Sequence, residues 1–126
     1  MFSKENYEFY KQIKHDEFTS NYTEVAATAE KNFNAYHSYA VVNVENGTIV
    51  EEIHFQEGPI KENGINGVNN EDLILMVIDR LESFQNSAYA CEENAKAIEC
   101  FMQGIRHLRE RTNKRAARGV EGTSTV

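Results

Sequence analysis

The 126-residue chain has no tryptophan, one proline (Pro59) and two cysteines. A single proline leaves long helices permitted. Cys91 and Cys100 form no CxxC motif, have no histidine nearby at ligand spacing, and stand nine residues apart, on different faces of a helix. They read as reduced, packed thiols and not as a zinc site. The longest apolar run is LILMVI at 73–78, far short of the ~20 residues a membrane span needs. The N-terminal stretch MFSKENYEFYK carries no apolar signal-peptide core, so a cytoplasmic location is expected. Neither a GxGxxG nor a P-loop is present, and no Ser-His-Asp or Cys-His order is readable. His15, His37, His54 and His107 make no metal spacing, and Asp79 and Glu82 read as a solvated helix face. Nothing asks for catalysis, a metal or a cofactor, and a non-enzymatic protein is expected.

What the chain does have is an uneven distribution of charge. Six of its 13 basic residues lie at 106–118, RHLRERTNKRAAR, with one acidic residue among them. Residues 1–105 carry 7 Lys/Arg against 18 Asp/Glu. A short cationic block on an acidic body suits a compact anion. It is not the broad basic face of a protein that tracks a nucleic-acid backbone, and the acidic remainder would repel a polyanion. The length fits one domain, or one domain with an extension.

The coarse organisation is α+β. Residues 3–33 carry Tyr7, Tyr10, Ile13, Phe18, Tyr22, Val25 and Ala29 at loose helical spacing. This predicts two short helices, or one broken near 19–21. Residues 39–55 predict a β-hairpin turning at Asn46-Gly47, the strongest short hairpin signal. Its core face would hold Val42, Val44, Val50 and the Ile53/Phe55 pair. Residues 56–70, with three glycines, the proline and four asparagines, predict an irregular loop. Asn69 or Asn70 would cap a helix running to about Phe84, with Glu71 and Asp72 in its positive first turn. That helix is apolar nearly all round, through Leu73, Ile74, Leu75, Met76, Val77, Ile78 and Leu81, so it needs cover on several sides. A subunit interface is expected there. A turn at 85–89 leads to a last helix from about Ala90 to Ala117, stopped by Gly119. At ~1.5 Å per residue it would project well past its partner.

Cations at a helix C-terminus complement the macrodipole, which alone would explain two or three of the six. The alternative is phosphate capture. Arg111, Arg115 and Arg118 are spaced four and three, so they share a face, and Arg109 lies on a neighbouring one. The planar guanidinium fork suits a pyrophosphate. Phe84 and Tyr89 at the turn are candidate base platforms, and Asn94 is a candidate amide reader. Asn94 and Arg109 lie roughly 22 Å apart along one helix. A compact dinucleotide reaches both only if a second chain runs antiparallel, which would give two equivalent sites.

The segment from GINGVNNEDLILMVIDRLESFQ through the ending R-T-x-x-R-x-x-R-G-V-E-G-T (residues 111–123) resembles the phage anti-defence sponges built on an α-helical hairpin. With EGPIKENGINGV before it, the stretch is similar to the Thoeris anti-defence protein 1 branch in particular. The resemblance implies an obligate homo-oligomer, a dimer or a hexamer, acting in the cytoplasm of the infected bacterium. An anchoring region would span 1–68 and the ligand-binding hairpin 69–126. It implies binding without cleavage of glycocyclic ADP-ribose (gcADPR), the messenger that Thoeris TIR enzymes make to activate an NADase effector. It also implies Phe84 and Asn94 as contacts to the adenine and Arg109, Arg115 and Arg118 as contacts to the pyrophosphate, with Arg111 also among the ligand-binding residues and residues 119–123 closing over the ligand. A sponge for cyclic di- or trinucleotides, as in the related anti-CBASS branch, is the nearest alternative. A cyclic-nucleotide hydrolase would need a metal or general base, for which no candidate stands out.

Overall fold

A computed structural model describes residues 10–13, 17, 21–28 and 30–126. The fold is α+β, and the chain divides into two compact units. The first comprises residues up to Gly58 together with Ile65–Gly67. It is built on an antiparallel sheet of β1 (Lys11–Ile13), β2 (Thr23–Ala27), β3 (Ser38–Asn43) and β4 (Ile49–His54), in that order. The second comprises Pro59–Gly64 and Val68–Val126. It holds a single turn, α1 (Ile60–Asn63), and the helical hairpin α2 (Asn70–Gln85) and α3 (Glu92–Ala117).

The expected β-hairpin is β3–β4. Gly47 takes φ +70° at its tip, and its N–H donates to the Asn43 carbonyl at 2.9 Å. The side chain of Asn46 accepts from the Thr48 N–H at 2.9 Å. A register shift between Val41 and Val42 alters the expected core face. Val42 is buried beside Ala26 and Ala40, with Tyr10 and Ile49 packed against them. Val44 and Val50 do not join it: the first belongs to the turn, and both are largely exposed. Ile53 and Phe55 are half-buried, and Tyr39 meets the Phe55 ring edge-on at 5.5 Å.

The N-terminal helices expected at 3–33 are corrected by β1 and β2. Val25 sits in β2 opposite Val41, and Ile13 pairs with Val25 across β1. Helical spacing of isolated aromatics lost to the need of β3 for a second partner, since a lone hairpin buries too little. The parts of that expectation resting on Tyr7, Phe18, Ala29 and the break at Thr19, and also His15, lie outside the described residues.

In the second unit α2 begins as expected. Asn69 precedes it in an extended conformation, and its N–H donates to the Asp72 carboxylate at 2.8 Å. α3 starts at Glu92, two residues later than expected, after Cys91. It ends in a Schellman turn: the Gly119 N–H reaches the Ala116 carbonyl at 3.0 Å and the Val120 N–H the Arg115 carbonyl at 3.1 Å. Gly119 supplies the left-handed residue, φ +74°, that this cap needs. At ~1.5 Å per residue α3 is about 39 Å long and α2 about 24 Å. Ile78 is the one buried residue of α2, and α3 has none. Leu75 and Met76 are each 60% exposed, and Val77 and Phe101 about 40%. The apolar circumference of α2 is therefore left open on more than one side. Both cysteines are exposed free thiols, which corrects the expectation that they pack.

Candidate anion-binding hairpin

The six cations of the basic block do not behave as one group. Glu99 and Glu110, on the same helix, take two of them. Arg106 Nη1 lies 3.3 Å from Glu99 Oε1, and Lys114 Nζ 3.1 Å from Glu110 Oε1. Such exposed pairs contribute little stability, but they dilute the field of those two charges. Arg115 and Arg118 are tied to main chain. Arg115 Nη2 donates to the carbonyls of Val120 and Thr123, each at 3.1 Å, and Arg118 Nη1 to the Val126 carbonyl at 2.9 Å. Arg109 and Arg111 are exposed, and neither has a partner among the described residues.

These two lie on nearly opposite sides of α3, because two residues at ~100° each rotate by about 200°, which corrects the expectation that Arg109 sits on a face neighbouring that of Arg111. Arg109 belongs to a shallow strip of about 530 Å³ lined by Ile105, Arg106, Glu110, Asn113, Lys114 and Ala117. Arg111 shares its face with Arg115 and Arg118, as the spacing predicts.

The other predicted residues gather at the opposite end of the hairpin. Phe84 stands next to the last residue of α2 and is 38% exposed. The Arg80 guanidinium lies over its ring, 5.4 Å from the centroid. Tyr89 in the turn is 77% exposed. Asn94, in the first turn of α3, is half-buried, and its amide has no hydrogen-bond partner among the described residues. A free amide and exposed rings at one end of the hairpin suit the edge and face of a base.

Residues that the sequence did not single out set this turn. Gln85 grips Cys91 through both ends of its amide, and Ser87 Oγ donates to the Phe84 carbonyl at 2.6 Å. The unbroken α3 keeps Asn94 and Arg109 roughly 22 Å apart within one chain. One chain therefore holds the aromatic-amide end and the arginine end apart, at the two ends of α3.

No helix is long and apolar enough to cross a membrane among the described residues. No group of three or more His, Cys, Asp or Glu is placed to hold a metal ion among them either.

The model of the Acb2/Tad1 hairpin domain matches residues 47–108, which take in β4, α1, α2 and α3 up to the residue before Arg109. A Bacillus phage SBSphiJ7 protein named Thoeris anti-defense 1 is 37% identical over 138 aligned positions, spanning 90% of this chain and 97% of that protein.

Proposed function

The chain belongs to the Thoeris anti-defence 1 family, built around the Acb2/Tad1 hairpin domain, and from that premise we propose that it is a sponge for a defence messenger. It binds gcADPR made by Thoeris TIR enzymes in the infected cell and holds it uncleaved, so that the NADase effector stays inactive. The observation that carries this reading is the pair Arg109 and Arg111. They are two guanidinium groups without a partner among the described residues, at the end of a long helix on a chain that is otherwise acidic.

The ligand lies between two protomers. One supplies Phe84 and Asn94 for the adenine. Its antiparallel partner supplies the basic end for the pyrophosphate, with Arg111 free to make charge-assisted bonds, Arg115 and Arg118 beside it, and the long Arg109 side chain reaching round from the other side of α3. The exposed apolar residues Leu75, Met76, Val77 and Phe101 support such an assembly, because their burial would drive it. Residues 69–126 carry the ligand sites and 1–68 anchor the oligomer.

Isothermal calorimetry with gcADPR, followed by heat denaturation and analysis of the released ligand, tests this reading. Tight binding near one ligand per chain, with the messenger recovered intact, is the expected result. A processed ligand would make the protein a hydrolase, and binding of cyclic di- or trinucleotides in place of gcADPR would make it a sponge of the other branch.

A further inference from the structure

Arg115 has the spacing of a phosphate ligand, yet its side chain is half-buried and turned onto its own chain. Its Nη2 group donates to the Val120 and Thr123 carbonyls. Those residues open and close a tight turn, with the Thr123 N–H on the Val120 carbonyl at 3.1 Å and Gly122 at φ +76°. Thr123 Oγ1 reaches the same carbonyl at 2.6 Å. The segment then docks on α1. The Lys61 N–H donates to the Gly122 carbonyl at 2.9 Å, and Ser124 Oγ lies 3.4 Å from Glu62 Oε1. A β-carbon on Gly122 would meet Lys61 Cγ at 3.0 Å. Residues 119–125 are thus a strap fastened at one end by Arg115 and at the other by α1. The main-chain N–H groups of Glu121 and Gly122 have no acceptor among the described residues, so the strap presents two free donors.

We infer that Arg115 is a positioning residue. It fastens the strap beside the Arg111 face, and the fastened strap governs how slowly a bound diphosphate-bearing nucleotide leaves. The inference rests on the sponge reading for the ligand but not for the strap. Arg115 differs in this from Arg109 and Arg111, whose free guanidinium groups meet the ligand directly. Both bonds come from the one nitrogen Nη2, and a lysine at 115 keeps the charge but carries its nitrogen one bond short of that position, on a flexible stem.

The test compares Arg115→Lys and Gly122→Ala with the unaltered protein in two measurements. Hydrogen exchange of the ligand-free protein reads the amides of 119–125. Stopped-flow binding and displacement of gcADPR read association and dissociation rates separately. Both variants are expected to exchange faster in 119–125 alone. Both are also expected to release ligand on the order of tenfold faster with little change in association, as is usual when an interface is loosened. A strap opened in Gly122→Ala with dissociation unchanged would overturn the role in retention. A strap still protected in Arg115→Lys would overturn the fastening role. Failure of the unaltered protein to bind gcADPR would remove the messenger reading and the retention role with it, while the exchange result would still decide what Arg115 fastens.

Discussion

Gln85 holds Cys91 by both ends of its side-chain amide: the Cys91 N–H donates to Oε1 at 3.0 Å, and Nε2 donates to the Cys91 carbonyl at 2.9 Å. The clamp spans the turn between α2 and α3, with Phe84 directly before it and Asn94 one helical turn beyond. Gln85→Ala removes both bonds and is expected to cost about 1–2 kcal/mol in denaturant unfolding. Gln85→Glu keeps the acceptor and loses the donor, so an intermediate loss is expected. Affinity for the messenger should fall in the same order, because the clamp fixes the spacing of the ring and the amide. Unchanged stability in Gln85→Ala would show that the turn holds without it.

Arg109 has no partner among the described residues, so its removal should leave folding alone. Arg109→Ala is expected to unfold at the same temperature and to bind gcADPR roughly 10- to 100-fold more weakly, the loss of one charge-assisted hydrogen bond. Arg106→Ala, whose guanidinium is paired with Glu99, should change affinity far less. Calorimetry at two salt concentrations checks both, and equal affinity in Arg109→Ala would remove Arg109 from the site.

Gly104 lies in the middle of α3, and a β-carbon there would meet nothing within 4 Å among the described residues. Glycine costs about 1 kcal/mol relative to alanine inside a helix. A close approach by a second protomer would account for it. Gly104→Ala is expected to stabilise the helix by about that amount and to weaken self-association. Sedimentation across a concentration series reads the second effect; unaltered association would mean that no partner backbone passes at Gly104.

Gly67 makes the opposite case within the first unit. A β-carbon there would fall 2.5 Å from the Phe55 carbonyl group and 2.6 Å from the His54 oxygen, both main chain that cannot swing aside. Gly67→Ala is expected to destabilise by at least about 2 kcal/mol in urea unfolding, through forced displacement of the end of β4. A loss below about 0.5 kcal/mol, ordinary for a surface substitution, would show that the backbone yields there.

Legibility in the sequence followed the range of the forces. Asn46-Gly47, the Asn69/Asp72 start and the Gly119 stop are local signals, and the β3–β4 turn, the start of α2 and the end of α3 fall where they indicate. The N-terminal region failed because Tyr10, Ile13, Tyr22 and Val25 fit a helical spacing loosely, while β2 owes its conformation to pairing with β3, more than ten residues away. The cysteines failed for a related reason: burial of Cys91 and Cys100 needs a neighbour, and α3 has few within its own chain.

For the candidate site, the sequence by itself determined that six cations crowd one helix end on an acidic chain, and which of them share a face, because charge and the 3.6-residue period are carried by the residues alone. Only the tertiary structure decided what each cation does. Arg106 and Lys114 meet glutamates, Arg115 meets carbonyls of the returning strap and Arg118 that of Val126, and Arg109 and Arg111 stay free among the described residues. A guanidinium's hydrogen-bond partner depends on where the chain after Gly119 turns and what α1 offers it, and that is a matter of packing that no spacing encodes.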